Sequence, residues 1–205
     1  MAALRTALAS AALLLAGGAL LGWATDGFRA FTTENARRLA VQRHPVAVPD
    51  AALQDQSGAR FALADLRGRW LLVDFVYTSC PTLCLALGGD FAQLQAALAG
   101  PIAQDRVALL SISFDPVRDT PDRLTGYLKQ FGGHGAGWRA ARPVDAEGLA
   151  RLEQTFGITV IPDGMGGYTH NGGIHLVDPR GRLVQIFDPG DPAAVARESE
   201  RRLQG

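Results

Sequence analysis

Lysine is almost missing from this 205-residue chain: Lys129 is the only one, and the other basic residues are arginines. No charge excess exists either, since Lys plus Arg and Asp plus Glu each number 20. A balance of this kind excludes the basic stripe that a nucleic-acid surface needs. Cysteine is equally scarce. Two thiols, Cys80 and Cys84, cannot build a disulfide-stapled scaffold or a four-thiolate zinc site, though they suffice for one redox pair or part of one metal site. Met1 and Met165 are the only methionines, which excludes a Met-rich soft-metal surface. There is no internal repeat and no low-complexity stretch. With 47% apolar and 20% charged residues, the chain can bury a core.

Charge is absent altogether from Thr6 to Thr25, a run of 20 residues. That is about the length a helix needs to cross a hydrocarbon layer of roughly 30 Å. A cleaved signal peptide competes, because Gly22-Trp23-Ala24 loosely fits a small-x-small cleavage site. The run is longer than a usual signal core, which favours an uncleaved anchor over residues 1–25. Arg5 lies on one side of it and Arg29, Arg37, Arg38 and Arg43 on the other. Counted naively, this would keep the following domain in the cytoplasm, but long domains translocate largely regardless of such charges. Residues 26–50 read as a short helix near Thr33–Leu39 and then a Pro-punctuated linker.

From residue 51 to 205 the periodicity describes one domain. Ala51–Leu66 has the pattern of a hairpin. Trp70–Tyr77 and Arg106–Phe114 are short, almost continuously apolar runs, as expected of strands buried on both faces. Leu87, Phe91, Leu94 and Leu98 form a helical stripe over Leu83–Ala99. Thr120-Pro121 opens a second helix, with Thr120 as N-cap, and Asp145–Phe156 is a third. A short strand is expected at Gly157–Ile161. Gly173–Val177 and Arg182–Phe187 flank an Asp-Pro-Arg-Gly turn, and Asp191 starts a last helix. This order predicts an α/β fold with a mixed central sheet and helices on both faces, and a thioredoxin-like domain fits it best.

Cys80-Pro-Thr-Leu-Cys84 begins where the first buried strand ends and the stripe of the first helix begins. That edge is where α/β folds place their sites, and the positive end of a helix favours a thiolate. Two buried, inert thiols are the alternative. Three intervening residues permit a disulfide and also let both thiolates face one ion; two thiolates suit a soft ion such as Cu(I), and an imidazole would accommodate Cu(II). Of the four histidines, His44 lies in the linker region and His134 in a Gly-rich loop. His175 alternates with apolar neighbours inside a strand, whereas His170 sits in a Gly-flanked segment read as an irregular loop.

Together, VDFVYTSCPTLC, SISFDPVRDTP and His170 followed by Pro179-Arg180-Gly181 resemble the SCO/SenC family. The resemblance spans about residues 45–190. It implies a membrane-anchored thioredoxin-fold copper chaperone that helps assemble the binuclear copper centre of cytochrome c oxidase. By position it implies Cys80, Cys84 and His170 as copper ligands, with Asp115 and Asp119 in a supporting role. It also implies two partners, the copper-bearing oxidase subunit and a copper donor protein, and a place on the inner membrane facing the periplasm. Leu85 and Thr169 stand where the family commonly has Pro and Asp. A second function stays open on the same residues: a thiol–disulfide oxidoreductase, which needs only the two cysteines. A peroxidase is a third, but no conventional peroxidatic motif is present.

Overall fold

The protein is described from a computed structural model covering residues 1–80, 82–133 and 137–204. Its backbone divides into two units, Met1–His44 and Pro45–Gly205. The first unit holds two helices. Helix α1 (Ala2–Ala24) is strongly apolar apart from Arg5, with a mean hydropathy of 1.8 over an 18-residue stretch, and buries none of its residues. By length and composition it can cross a membrane. Helix α2 (Thr33–Arg43) starts where the Thr32 hydroxyl accepts the Asn35 N–H, and Glu34 pairs with Arg37 and Arg38 in its first turns.

The second unit is built on an eight-stranded mixed sheet. In chain order its strands and helices are β1 (Val46–Ala47), β2 (Ala52–Asp55), β3 (Arg60–Ala62), β4 (Trp70–Val76), α3 (Leu83–Ala97), α4 (Ala99–Ala103), β5 (Val107–Ser113), α5 (Pro121–Gln130), β6 (Trp138–Pro143), α6 (Ala146–Phe156), β7 (Val160–Pro162), β8 (Tyr168–His170), β9 (Ile174–Val177), β10 (Arg182–Phe187) and α7 (Pro192–Leu203). The sheet runs β1-β10-β9-β4-β5-β6-β2-β3, and β7 and β8 form a separate two-stranded ribbon. Strands β4, β5 and β6 are parallel, while β9 lies antiparallel on the other side of β4. This places β4 at the centre, which explains its almost continuously apolar sequence, interrupted only by Asp74: Leu72, Val73, Phe75 and Val76 are fully buried. Each such side chain contributes roughly 1.5–3 kcal/mol. Helices α3 and α5 cover one face, where Phe91 and Tyr127 pack on Trp138, and α6 covers the other, where Phe156 meets Phe75.

The mixed sheet with helices on both faces matches the sequence expectation, and the expected Thr120 cap is present, with a second cap at Asp145. Thr120 accepts the Arg123 N–H at the start of α5, and Asp145 accepts the Gly148 N–H at the start of α6. Three local readings need correction. Strand β6 has no counterpart in the sequence reading, because WRAARP carries two arginines and two alanines, poor strand formers, and is held as a strand by pairing on both sides. The strand expected at Gly157–Ile161 begins only at Val160, since Gly157 closes α6 in a left-handed conformation (φ 64°). It pairs with β8 rather than with the central sheet. His170 therefore ends a short strand instead of lying in an irregular loop. In addition, Val46 and Ala47, in the stretch read as a linker, pair with β10.

Candidate metal centre

Strand β4 ends at Val76, and α3 begins at Leu83. Cys80 precedes the helix and Cys84 lies in its first turn, where the Cys84 N–H points at Cys80 Sγ over 3.4 Å. The sulfur thus takes one of the amide protons that a helix start leaves without a partner. Cys84 is 1% exposed and Cys80 7%; both are free thiols.

His170 comes from across the site on the β7–β8 ribbon. Its Nε2 lies 3.9 Å from Cys80 Sγ and 3.6 Å from Cys84 Sγ. On the other side of the ring Nδ1 is 2.8 Å from the Asn171 carbonyl oxygen, which can only accept, so Nδ1 carries a proton and donates it there. Nε2 is left facing the sulfurs, free to donate to a thiolate when protonated or to offer its lone pair to a metal. Three aromatic side chains hold the ring in place: Phe114 at 4.8 Å between centroids, Tyr77 at 5.9 Å, and Tyr168, which packs edge-on against both of them.

The two aspartates of the second motif tie these pieces together. The Asp119 carboxylate accepts the Thr78 N–H and hydroxyl and the Ser113 hydroxyl, fixing the turn just before Cys80 to the end of β5. Asp115 pairs with Arg118, whose guanidinium also donates to the Gly166 carbonyl and lies over the Tyr168 ring. A clasp therefore joins the loop after β5 to the ribbon that carries His170. Gly172 and Gly173 let that ribbon return to the sheet: a Cβ on Gly173 would stand 2.9 Å from the Phe187 carbonyl oxygen.

The two thiols are electrostatically unequal. Burial works against ionisation of Cys80, but hydrogen bonds from His170 and from the Cys84 and Thr82 backbone outweigh it and bring the thiol down to about 6. Burial pushes the Cys84 thiol up, and the neighbouring Cys80 sulfur pushes it further. At neutral pH without a metal, negative charge on the pair is therefore favoured at Cys80 over Cys84.

Among the described residues, Cys80, Cys84 and His170 are the group of three side chains able to hold a metal ion; their donor atoms all lie within 4.8 Å of one another. An ion bonded to sulfur at about 2.3 Å and to nitrogen at about 2.0 Å, with angles near 110–120°, needs S···N separations of about 3.5–3.7 Å. The observed separations are within a few tenths of an ångström of that. The donor set, two thiolates and one imidazole, is soft and too small for a closed structural zinc site. The other histidines lie elsewhere. His44 caps the end of α2, and His175 is buried in β9 between the Phe75 and Phe156 rings with Nδ1 3.3 Å from the Val73 carbonyl oxygen. His134 lies outside the described residues. Sequence reasoning missed Tyr77, Phe114, Tyr168 and Arg118, although each stands within three residues of Cys80, Asp115 or His170.

A thioredoxin-like sheet that presents two thiols at a strand–helix turn and an imidazole on an opposing ribbon defines a protein of soft-metal or thiol chemistry. The chain belongs to the SCO1/SenC family, whose profile matches residues 42–204. It is 30% identical over 141 residues to a putative copper-binding protein of Stutzerimonas stutzeri, an alignment covering 67% of each chain. Its fold is similar to that of a SCO1/SenC family lipoprotein from Bacillus anthracis (TM-score 0.69, 23% identity, 78% of this chain and 97% of that one). It is also similar to Bradyrhizobium japonicum ScoI, solved with copper bound (TM-score 0.62, 27% identity, 76% and 98%).

Proposed function

We propose that the protein binds copper through Cys80, Cys84 and His170 and acts as a metallochaperone for cytochrome c oxidase, delivering copper to the binuclear centre of its copper-bearing subunit or preparing that subunit's cysteines. The observation that carries this reading is the convergence of two thiol sulfurs and one imidazole nitrogen at separations a single ion can bridge. Family membership supports copper as the ion, as do the copper-binding relative and the copper-loaded ScoI structure. The thiolates suit Cu(I), and the imidazole adds the nitrogen donor that Cu(II) prefers.

The histidine assignment makes a distinguishing prediction. His170→Ala is expected to lose the thiolate-to-Cu(II) charge-transfer band while keeping part of the Cu(I) content, because Cu(I) can persist on two thiolates. His175→Ala should keep the band, since its ring lies in β9 and not among the site's donors. The opposite pattern in visible spectra and copper analysis would contradict the assignment.

Helix α1 serves in this reading as an anchor that holds the domain on the periplasmic side of the inner membrane. Alkaline phosphatase fused after residue 205 should be active; an inactive fusion would place the domain on the other side. A thiol–disulfide oxidoreductase is the second reading, favoured by one observation: His170 Nε2 and the Cys84 N–H both face Cys80 Sγ, lowering that thiol, while burial raises Cys84, as suits an attacking and a resolving thiol.

A further inference from the structure

Next to the His170 ribbon the surface opens into a groove of about 510 Å³, within the roughly 300–1,000 Å³ typical of ligand-binding clefts. Its lining includes Phe114 and Tyr168, two of the rings that hold His170. The groove therefore adjoins the wall of the metal centre. Farther out its banks carry Val117, which is 86% exposed, and Val144, which is 40% exposed, and Met165 is exposed at the nearby tip of the ribbon.

Arg60 and Arg142 lie along the same groove. Arg142 is oriented by neutral acceptors only, donating to Gln54 Oε1 and to the Pro116 carbonyl oxygen. Among the described residues, no carboxylate forms an ion pair with either arginine. The groove's own acids are already engaged: Asp115 with Arg118, and Asp145 with the Gly148 N–H. Nearer the cysteines, Arg123 likewise meets only a hydroxyl, that of Ser79. Two arginines without an ion-pair partner among the described residues thus line a partly apolar groove that adjoins the rings holding His170.

We infer that this groove docks an extended, acidic segment of a protein partner. Carboxylates of the segment pair with Arg60 and Arg142, and an apolar side chain packs between Phe114 and Val144. Guanidinium–carboxylate pairs orient as well as attract, so docking fixes where the rest of the partner meets Cys80 and Cys84. The inference rests on the function proposed above and specifies the chemistry of the partner.

The test uses the full chain in detergent micelles and a fluorescein-labelled probe peptide, Gly-Glu-Asp-Phe-Glu-Asp-Leu-Gly. Two comparison peptides replace its acids by Gln and Asn or by Lys. Fluorescence anisotropy should show binding of the acidic peptide that weakens with salt, with the amide peptide about tenfold weaker and the lysine peptide weaker still. The double variant Arg60→Glu/Arg142→Gln should lose about tenfold in affinity for the acidic peptide while taking up copper as the parent does. Equal binding of the acidic and amide peptides, or a double variant that binds like the parent, would overturn the inference. So would a parent that dimerises through this groove and a double variant that is monomeric, because the occupant would then be a second copy. Copper content measured on the same samples separates the two proposals: peptide binding without copper uptake removes the proposed function and leaves the groove, and the converse removes the groove alone.

Discussion

Serine at position 80 or at position 84 is expected to abolish stoichiometric copper binding, each alone, while the domain stays folded. The three donors act as a unit. With one thiolate replaced by a hydroxyl, a soft ion keeps one sulfur and one nitrogen, and the affinity conferred by two thiolates is lost. The two substitutions should differ in what else they change. Cys80 is the favoured site of negative charge in the metal-free pair and accepts the Cys84 N–H, so Cys80→Ser removes the thiolate and leaves a weaker acceptor at the start of α3. Cys84 is buried and protonated, so Cys84→Ser leaves the Cys80 thiolate and its reactivity in place. Copper analysis after loading, with thiol alkylation rates measured against pH, reads both effects. Full copper stoichiometry in either variant would exclude the site.

Asp74→Asn is expected to flatten the pH dependence of stability. Asp74 stands in the middle of β4, facing α3 and α5, with no exposed surface and no well-formed hydrogen bond to either carboxylate oxygen. Burial raises its carboxyl to about 7 from the ordinary 3.8; the nearby Ser111 hydroxyl offsets this only in part, and the Asp90 carboxylate adds to it. Below pH 4 both folded and unfolded chains hold the proton, and the residue is neutral toward stability. Between pH 4 and 7 the unfolded chain ionises while the folded one does not, so the fold loses stability as pH rises. The loss is on the order of 4 kcal/mol by linkage and does not grow above pH 7. Asparagine has no such titration. Relative to the variant, the parent's melting temperature should therefore fall by about 10 °C between pH 4 and pH 8. The comparison is made by thermal unfolding of both full chains in the same detergent; parallel pH profiles would refute the assignment. The difference between the two chains isolates Asp74, because the lowered Cys80 thiol, which favours the fold as pH rises from 6 to 9, is common to both.

Much of this protein can be read directly from its residues, because the relevant signals are local. A run that is almost continuously apolar must be buried on both faces or lie in a membrane, which identified β4, β5 and α1. Helix starts are set by a few consecutive side chains, so Thr120 was legible as a cap and Asp145 as a helix start. The thiol pair was conspicuous because the chain contains no other cysteine, and the family motifs pointed to His170 over its three competitors.

Other features depended on tertiary structure, because their causes are distant in sequence. WRAARP becomes a strand only through hydrogen bonds from β5 on one side and β2 on the other. His170 is held at the sulfurs by a ribbon, by three aromatic rings from separate segments and by the Asp115–Arg118 clasp, none of which any spacing encodes. The inequality of the thiols likewise comes from the fold: helix geometry turns the Cys84 amide toward the Cys80 sulfur, and the surrounding core takes the Cys84 sulfur out of water. Residue types along the chain thus determined which donors were available; packing across ninety residues determined that two sulfurs and one nitrogen meet at a single point.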